Sequence, residues 1–406
     1  NQNTSLALGS NLASMTQSGN SVAILEISSY GSGRVVKWNE YNWASESILG
    51  PVYGMDDLLW RSIVWAARKP FVMQGFPPII TMRVDDVDGT GLEGTIANDF
   101  EWISISNGYG FAPWCGTFTI PAEKIPIFKT FLDANNATAS PHAFSYESSI
   151  YFNHEGDLIF DPVINTQTAH AFYTNNELKM SKLLIPHYYE IDPLALGEIQ
   201  NMGIEFMGTH MDIGDPYNDF WINCAPFRTY MDVWGRSSDP LPVSYSGNIS
   251  NGSFTFFNCV TEIRDDQGYE WYITGRTNAD IIGQGVRQLS RSLNSMVLST
   301  LFTHQDQLGI SAQNWSNILS EITGAVAAFN PEYRSLDYGV QYARAKSNIS
   351  ITNVSDNDPI VNISYSGTND MDTRCYLFTE SSGLISFRQV VLPQISAGTV
   401  IVGVLK

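Results

Sequence analysis

Apolar and polar residues in the first 75 positions follow strand spacing and then helix spacing. Residues 21–26 form a short apolar run, and a glycine turn at Gly31 leads into a second run, so we expect two strands here. From Met55 to Arg68 the apolar residues recur every three to four positions, which predicts an amphipathic helix. The predicted order is therefore strand, strand, helix.

From about residue 77, short apolar runs alternate with helical patterns. Residues 78–84 are apolar and rich in β-branched side chains, which is typical of a strand buried in a parallel sheet. Residues 121–133 fit a helix, and another long helical pattern begins near Asp280. Further strand-like runs lie at 111–120, 137–146, 182–191 and 204–210. Such alternation predicts an α/β fold, here a (β/α) barrel with functional residues at the carboxyl ends of its strands.

The pattern changes again near residue 345. From Ser347 to Lys406 apolar and polar residues alternate without a helical stretch, which predicts a small β-sandwich. We therefore expect three domains. Residues 1–75 resemble the closing part of a Rossmann-like, flavodoxin-like α/β domain, residues 76–344 form the barrel, and residues 345–406 form the sandwich, in an accessory role.

Charge and composition narrow the classes of function. The 406 residues carry a formal charge of −19, which argues against a nucleic-acid ligand and against an anionic membrane, because both require a basic surface. No run of 18 apolar residues is present, so we expect no transmembrane segment. Eight Asn-x-Ser/Thr sequons favour a secreted or cell-surface glycoprotein. The four cysteines have no Cys-x-x-Cys spacing, and their number allows one or two disulfides.

The strongest chemical signal is the adjacent pair Asp85 and Asp86. The pair follows an apolar run and precedes Gly89, so it lies where a strand ends in a loop. Neighbouring side chains of a strand point to opposite faces, so the two carboxylates can share one site only if the backbone turns between them. Two close carboxylates repel each other unless they share a cation or a proton. A bound metal ion is one interpretation, and an acidic loop or a structural calcium site is the other.

Histidines at strand ends strengthen the metal interpretation. His142, His187 and His304 each lie at the end of a predicted strand, and His154 lies at a strand or loop edge. A single histidine is more often a packing or surface residue than a ligand. Several at strand ends, together with an Asp-Asp pair, are the residues from which a barrel can assemble an Asp/His/His metal site.

In their order along the chain, three segments resemble the motifs of a known family. The run ending in Asp85-Asp86, the strand-end His142 and the late Leu301-Phe302-Thr303-His304 are similar to the first, second and last motifs of polysaccharide deacetylases with the NodB-homology barrel. The resemblance covers roughly residues 77 to 330. It is greatest to the divergent secreted branch represented by fungal galactosaminogalactan deacetylases, which combine such a barrel with α/β and β-sandwich domains.

The resemblance implies roles for individual residues. Asp85 would be the general base, His304 the general acid, and Asp86 and His142 ligands of a divalent metal ion. The family's second motif has another histidine four residues after the first, and this chain has Tyr146 there. The third ligand is then His187 or His154, and we favour His187 because it directly follows a short apolar strand. Zinc is the expected ion because the ligands are His and Asp.

Aromatic and basic residues complete the expected site. Flat rings in strand-end loops can pack against pyranose faces, which makes Trp114, Tyr188 and Trp221 candidates for substrate binding. Arg228 lies where the family carries a motif that orients the catalytic residues.

The expected function is metal-dependent removal of N-acetyl groups from an amino-sugar polysaccharide. One alternative is an inactive barrel that serves as a glycan-binding or surface structural protein. Another is a glycoside hydrolase that uses Asp85 with a second carboxylate and needs no metal.

Overall fold

The structure, a computed structural model, describes residues 10–17, 19–39, 55–89, 100–154, 156–212, 246–251, 254–264, 277–305 and 311–406. Over these residues the helices are α1 (Met55–Ala67), α2 (Glu101–Gly108), α3 (Ile125–Asp133), α4 (Pro162–Asn175), α5 (Leu196–Asn201), α6 (Asn278–Asn294), α7 (Ala312–Val326) and α8 (Leu336–Ser347). The first ten strands are β1 (Ser10–Gln17), β2 (Asn20–Tyr30), β3 (Gly33–Trp38), β4 (Phe71–Gln74), β5 (Ile79–Val87), β6 (Trp114–Thr117), β7 (Thr138–Pro141), β8 (Ala143–Ser145), β9 (Ser148–Ser149) and β10 (Leu183–Leu184). The others are β11 (Phe206–Asp212), β12 (Ser246–Asn251), β13 (Phe254–Arg264), β14 (Ser299–His304), β15 (Glu332–Tyr333), β16 (Ile349–Asn357), β17 (Ile360–Gly367), β18 (Thr373–Ser381), β19 (Leu384–Leu392) and β20 (Thr399–Leu405).

The N-terminal strands form an antiparallel sheet. Strands β1, β2 and β3 pair in sequence order, and both pairings are antiparallel. The predicted glycine turn is confirmed, since Gly31 takes a left-handed φ of 59° between β2 and β3. A two-residue link can join only antiparallel neighbours. The expectation of a flavodoxin-like segment is therefore corrected here, because the sheet of such a domain is parallel.

The central part of the chain is a mixed α/β fold built around a parallel sheet. Its strands have the order β14, β5, β6, β7, and β15 also pairs with β5; every pairing is parallel. Met82 and Val84 face a core that they share with helices α2, α3, α6 and α7. Since side chains alternate along a strand, Arg83 and Asp85 project from the opposite face.

A second sheet lies beside the first. Its order is β10, β11, β13, β12; the first three strands are parallel, and β12 is antiparallel to β13. At one seam the Ser181 amide donates to the Ala139 carbonyl at 2.7 Å. A core with Ile79, Phe206 and Phe257 connects the two sheets, and α8 contributes Leu336 to it. Over the described ranges the ladders of these two sheets stay separate and do not close into one barrel.

The C-terminal strands form two three-stranded sheets around a shared core. One sheet has the order β16, β17, β20 and the other β19, β18, β4. Val361 and Ile363 of the first sheet pack with Leu377 and Leu392 of the second. The second of these sheets includes β4 from residues 71–74, which is about 300 positions from its partner β18 in the sequence. Val64 of α1 packs against Phe378 of β18, so the N-terminal helix covers the second sheet.

Two other expectations have a structural outcome. Cys115, Cys259 and Cys375 are buried free thiols, and Cys224 lies outside the described residues. None of the described helices combines the length and the apolar character needed to cross a bilayer.

Candidate metal centre

The carboxylate pair lies where β5 leaves the sheet. Asp86 has a left-handed φ of 60°, and the register of β5 with β6 shifts between Val84 and Val87. The strand therefore bulges at the pair. A bulge re-aims the side chains that follow it, so Asp85 and Asp86 can both face one site. The turn that the sequence required between the two residues is present.

Asp85 belongs to a buried ionic network that begins with Arg83. The Arg83 Nε and Nη2 donate to the two Asp85 carboxylate oxygens at 2.8 and 2.5 Å. Arg83 Nη1 donates to the Tyr189 hydroxyl at 2.8 Å and lies 3.3 Å from Glu262 Oε2, while the Tyr189 hydroxyl donates to Glu262. Burial alone would raise the pKa of Asp85, but the charge of Arg83, with a smaller contribution from His142, lowers it to about 2. Asp85 is therefore ionised at neutral pH.

His142 follows β7 and faces the carboxylates. Its Nδ1 lies 2.7 Å from the Ile185 carbonyl oxygen, and its Nε2 lies 3.4 Å from Asp86 Oδ1 and 3.7 Å from Asp85 Oδ2. A carbonyl only accepts, so Nδ1 carries the proton and the lone pair of Nε2 points at the acids. Burial lowers the pKa of His142 to about 4, so the imidazole is neutral at neutral pH. Gly116 provides the space, because a Cβ there would lie 3.1 Å from the His142 ring.

His187 approaches the same point from a short turn. The predicted strand over 182–191 is reduced to Leu183–Leu184 and is followed by a 3-10 turn over His187–Tyr189. Pro186 lacks an N–H for a ladder hydrogen bond, which accounts for the early end of the strand. The His187 and His142 ring centroids are 5.0 Å apart. Burial, and then the nearby His142, lower the pKa of His187 to about 2.

His304 reaches the site from the other neighbour of β5. It ends β14, and in the parallel register it is the partner of Asp85. Its Nε2 lies 4.0 Å from Asp86 Oδ2. Four of the expected segments, which end at Asp86, His142, His187 and His304, thus converge at the carboxyl end of the parallel sheet.

Three of these side chains fit a divalent metal ion. One ligand atom each of Asp86, His142 and His187 lies within 4.8 Å of the others. The donor set is one carboxylate and two neutral imidazoles, a combination found at zinc and at other first-row metal sites. The buried Nδ1 of His187 has no hydrogen-bond partner among the described residues, and a ligand position would satisfy such an atom. The donors are compatible with several divalent ions.

His154, the alternative third ligand, has a different place. Its Nδ1 lies 2.8 Å from Glu190 Oε2, and its ring stacks on Tyr188 with centroids 3.6 Å apart. It is not a member of the Asp86, His142 and His187 group. The structure therefore places His187, and not His154, beside the other two donors.

Two of the residues expected to contact substrate have rings that are covered by other parts of the protein. Trp114 is fully buried in the core between the sheets, which corrects its expected role, because a substrate cannot reach it. Tyr188 stacks on His154 at 3.6 Å and on His187 at 3.9 Å. Two rings this close to one tyrosine must occupy opposite faces, so neither face is open to a pyranose, and this expectation is also corrected. Trp221 and Arg228 lie outside the described residues.

Sequence reasoning missed the Arg83, Tyr189 and Glu262 network. Arg83 could have been found, because it precedes Asp85 by two positions on one strand and therefore shares its face. Glu262 gave no comparable signal. It lies on β13, and only the packing of the second sheet against the first brings it to Arg83.

Comparisons with known proteins add little to this geometry. No family model and no curated protein matches the chain. Among solved structures, the chain is similar to the 4-alpha-glucanotransferase from Thermococcus litoralis, with 7% sequence identity and a TM-score of 0.40. The match covers 66% of this chain and 40% of that chain, so this chain aligns with less than half of the glucanotransferase. A similarity of this size establishes neither the fold nor the function.

Proposed function

We propose that the chain is a metal-dependent hydrolase that removes N-acetyl groups from an amino-sugar polysaccharide, on a (β/α) barrel of the deacetylase type. The observation that supports this best is the donor group of Asp86, His142 and His187, with Asp85 and His304 next to it. Asp86, His142 and His187 would hold a divalent ion through two imidazoles and one carboxylate, and three protein ligands would leave room for water and substrate. Zinc is the ion we propose.

The departure from the family's second motif has a structural counterpart. Tyr146 stands where the family has its second histidine, and its ring lies 6.1 Å from that of His187. His187 therefore enters the site beside the position that the motif would fill. A ligand taken from the turn that follows β10, instead of from the segment that carries His142, preserves an Asp/His/His donor set.

The chain's own residues suit amide hydrolysis. A divalent ion bound here would acidify a water molecule, lowering its pKa from ~16 to about 7, and would polarise the acetamide carbonyl. Asp85, which is ionised, accepts a proton from the attacking water in this proposal, and Arg83 holds its carboxylate in one orientation. His304, across β5 from His142, donates a proton to the departing sugar nitrogen. The C–N bond breaks, and acetate and a free amine leave.

The surface chemistry is consistent with such a substrate. A charge of −19 attracts a polymer that becomes cationic as amines are released. The sequon asparagines Asn136, Asn348 and Asn353 are exposed, as glycan attachment requires. We therefore propose a secreted or cell-surface location.

Acetate release tests the proposal directly. The purified chain is incubated with N-acetylhexosamine oligomers, with and without a chelator, and acetate is measured. We expect release that the chelator abolishes and zinc restores, and that is lost in His142→Ala and His187→Ala. His170→Ala on α4 is the matched control, since it removes a histidine outside the site, and it should retain full activity.

Two other outcomes would contradict the proposal. Tight binding of the oligomers without any acetate would instead indicate a glycan-binding protein that has lost its chemistry. New reducing ends that form in the presence of the chelator would indicate a glycoside hydrolase.

A further inference from the structure

The two histidines of the donor group are held in different ways. The His142 ring is fixed by the contact between its Nδ1 and the Ile185 carbonyl, 2.7 Å away. Such a hydrogen bond to the second nitrogen is the usual way to orient a metal-binding imidazole. Within the described residues, the His187 ring is instead surrounded by other rings. Those of Phe118, Tyr146 and Tyr188 have centroids 5.9, 6.1 and 3.9 Å from it.

The closest of these rings has a support of its own. Tyr188 lies nearly parallel to His187, at 30°, and its opposite face lies on His154 at 17°. His154 is held in turn by Glu190 through the 2.8 Å contact to its Nδ1, and the Glu190 side chain is 1% exposed. Glu190, His154, Tyr188 and His187 thus form one continuous stack that ends at the donor group.

The backbone of the turn over His187–Tyr189 is strained, and this conformation directs the Tyr188 ring toward His187. Tyr188 and Tyr189 have left-handed φ values of 53° and 56°, a conformation that is unfavourable for a non-glycine residue. The Tyr189 hydroxyl is anchored between Arg83 and Glu262. Because Tyr189 is fixed in the ionic network, its neighbour Tyr188 is aimed at His187. Strain of this kind persists only where the surrounding contacts determine the conformation.

We propose that Tyr188 is a positioning residue for the metal centre: its ring, supported by His154 and Glu190, holds the His187 imidazole in the orientation for metal binding. The stack orients the His187 ring, as the hydrogen bond to the Ile185 carbonyl orients the His142 ring. This inference rests on the proposed function only in taking His187 as a metal ligand.

Metal affinity, measured on the full chain without any substrate, tests the inference. Zn²⁺ is titrated in competition with a chromophoric chelator, and Co²⁺ absorption reports the coordination. Tyr188→Leu keeps a bulky apolar side chain and the same backbone strain but removes the flat ring. We expect it to weaken Zn²⁺ binding about 10- to 100-fold, the usual effect of losing an outer partner of a metal-binding histidine. Tyr188→Phe should bind as the unaltered chain does.

Controls separate positioning from general stability. Tyr365→Phe removes a hydroxyl that bonds the Pro393 carbonyl in the C-terminal sandwich, and it should leave Zn²⁺ affinity unchanged. If Tyr188→Leu does not fold, His154→Leu decides the question, because it removes the ring behind Tyr188 and should also weaken Zn²⁺ binding.

Each other result counts against a definite part of the reasoning. Unchanged affinity in Tyr188→Leu, or an equal loss in Tyr188→Phe, overturns the positioning role and leaves the proposed function intact. The same holds for unchanged affinity in His154→Leu. If the unaltered chain binds no Zn²⁺ or Co²⁺ at all, the proposed function itself fails.

Discussion

Replacing Arg83 by methionine should strongly destabilise the protein. The Arg83 side chain is 1% exposed and is the cation for Asp85 and for Glu262. Methionine fills a similar volume but carries no charge, so the buried carboxylates of Asp85 and Glu262 both lose the Arg83 cation. Removal of one partner from a buried ion pair costs about 3–5 kcal/mol. Folded domains are stable by only about 5–15 kcal/mol, so this is a large fraction.

The pKa of Asp85 gives a second measure and a pH dependence. The shift from 3.8 to about 2 is nearly two units at 1.36 kcal/mol each, or about 2 kcal/mol. Because the folded pKa is lowered, this stabilisation is present above pH 3.8 and is lost as the pH falls through 2. Without Arg83, burial raises the pKa of Asp85 instead. The carboxyl group of the variant then takes up a proton on acidification, and the cost of the substitution shrinks.

Urea unfolding followed by tryptophan fluorescence at pH 7 and pH 4 measures both effects. Arg374→Met is the matched control, because Arg374 pairs with Glu332 at 2.8 Å with both side chains about one third exposed. Loss of an exposed pair costs at most about 1 kcal/mol. The reasoning is refuted if Arg83→Met costs no more than Arg374→Met at pH 7, or if its cost is the same at pH 4.

Three further predictions concern the metal centre. Gly116→Val should weaken Zn²⁺ binding, measured by chelator competition, since even a Cβ would lie 3.0 Å from the Trp114 ring and 3.1 Å from the His142 ring. His142→Ala and His187→Ala should each lose the bound ion in elemental analysis, and His170→Ala should retain it. In the metal-free chain, His142 has a pKa of about 4 against the usual 6.5. The unfolded chain therefore binds its proton first, and stability falls by about 3 kcal/mol as the pH drops from 6.5 to 4. Urea unfolding of His142→Gln should lack this part of the loss.

Local patterns predicted much of the secondary structure. The helix from Met55 and the long helix near Asp280 are present as α1 and α6, and the strand that carries Asp85 is β5. These predictions hold because burial of one face imposes a fixed spacing along the chain. The pairing of β4 with β18, separated by about 300 positions, leaves no trace in such spacing. Sequence spacing therefore does not reveal that residues 71–74 pair with a C-terminal strand.

The donor group was predictable for a different reason. Carboxyl ends of parallel strands lie at one edge of a sheet, so the donors Asp86 and His142, and His304 beside them, could be grouped because each follows a predicted strand. The substrate contacts could not be predicted in this way. Trp114 and Tyr188 are aromatic residues near the site, but the sequence does not distinguish a ring that packs inside the protein from one that faces a cleft.

Three non-glycine residues at the site have left-handed backbones. Their unfavourable conformations explain why the site needs both the ionic network and the ring stack to stabilise it. Strand alternation would place Asp85 and Asp86 on opposite faces, and Asp86 at φ 60° overcomes this. Tyr188 and Tyr189 direct one ring to His187 and one hydroxyl to Arg83. Each such conformation is unfavourable by itself, so the ionic network and the ring stack must both stabilise the turn. Tyr188 contacts the ligand His187, and Tyr189 contacts Arg83, the partner of Asp85. Because these two tyrosines are adjacent, the imidazole side of the centre is coupled to the carboxylate side.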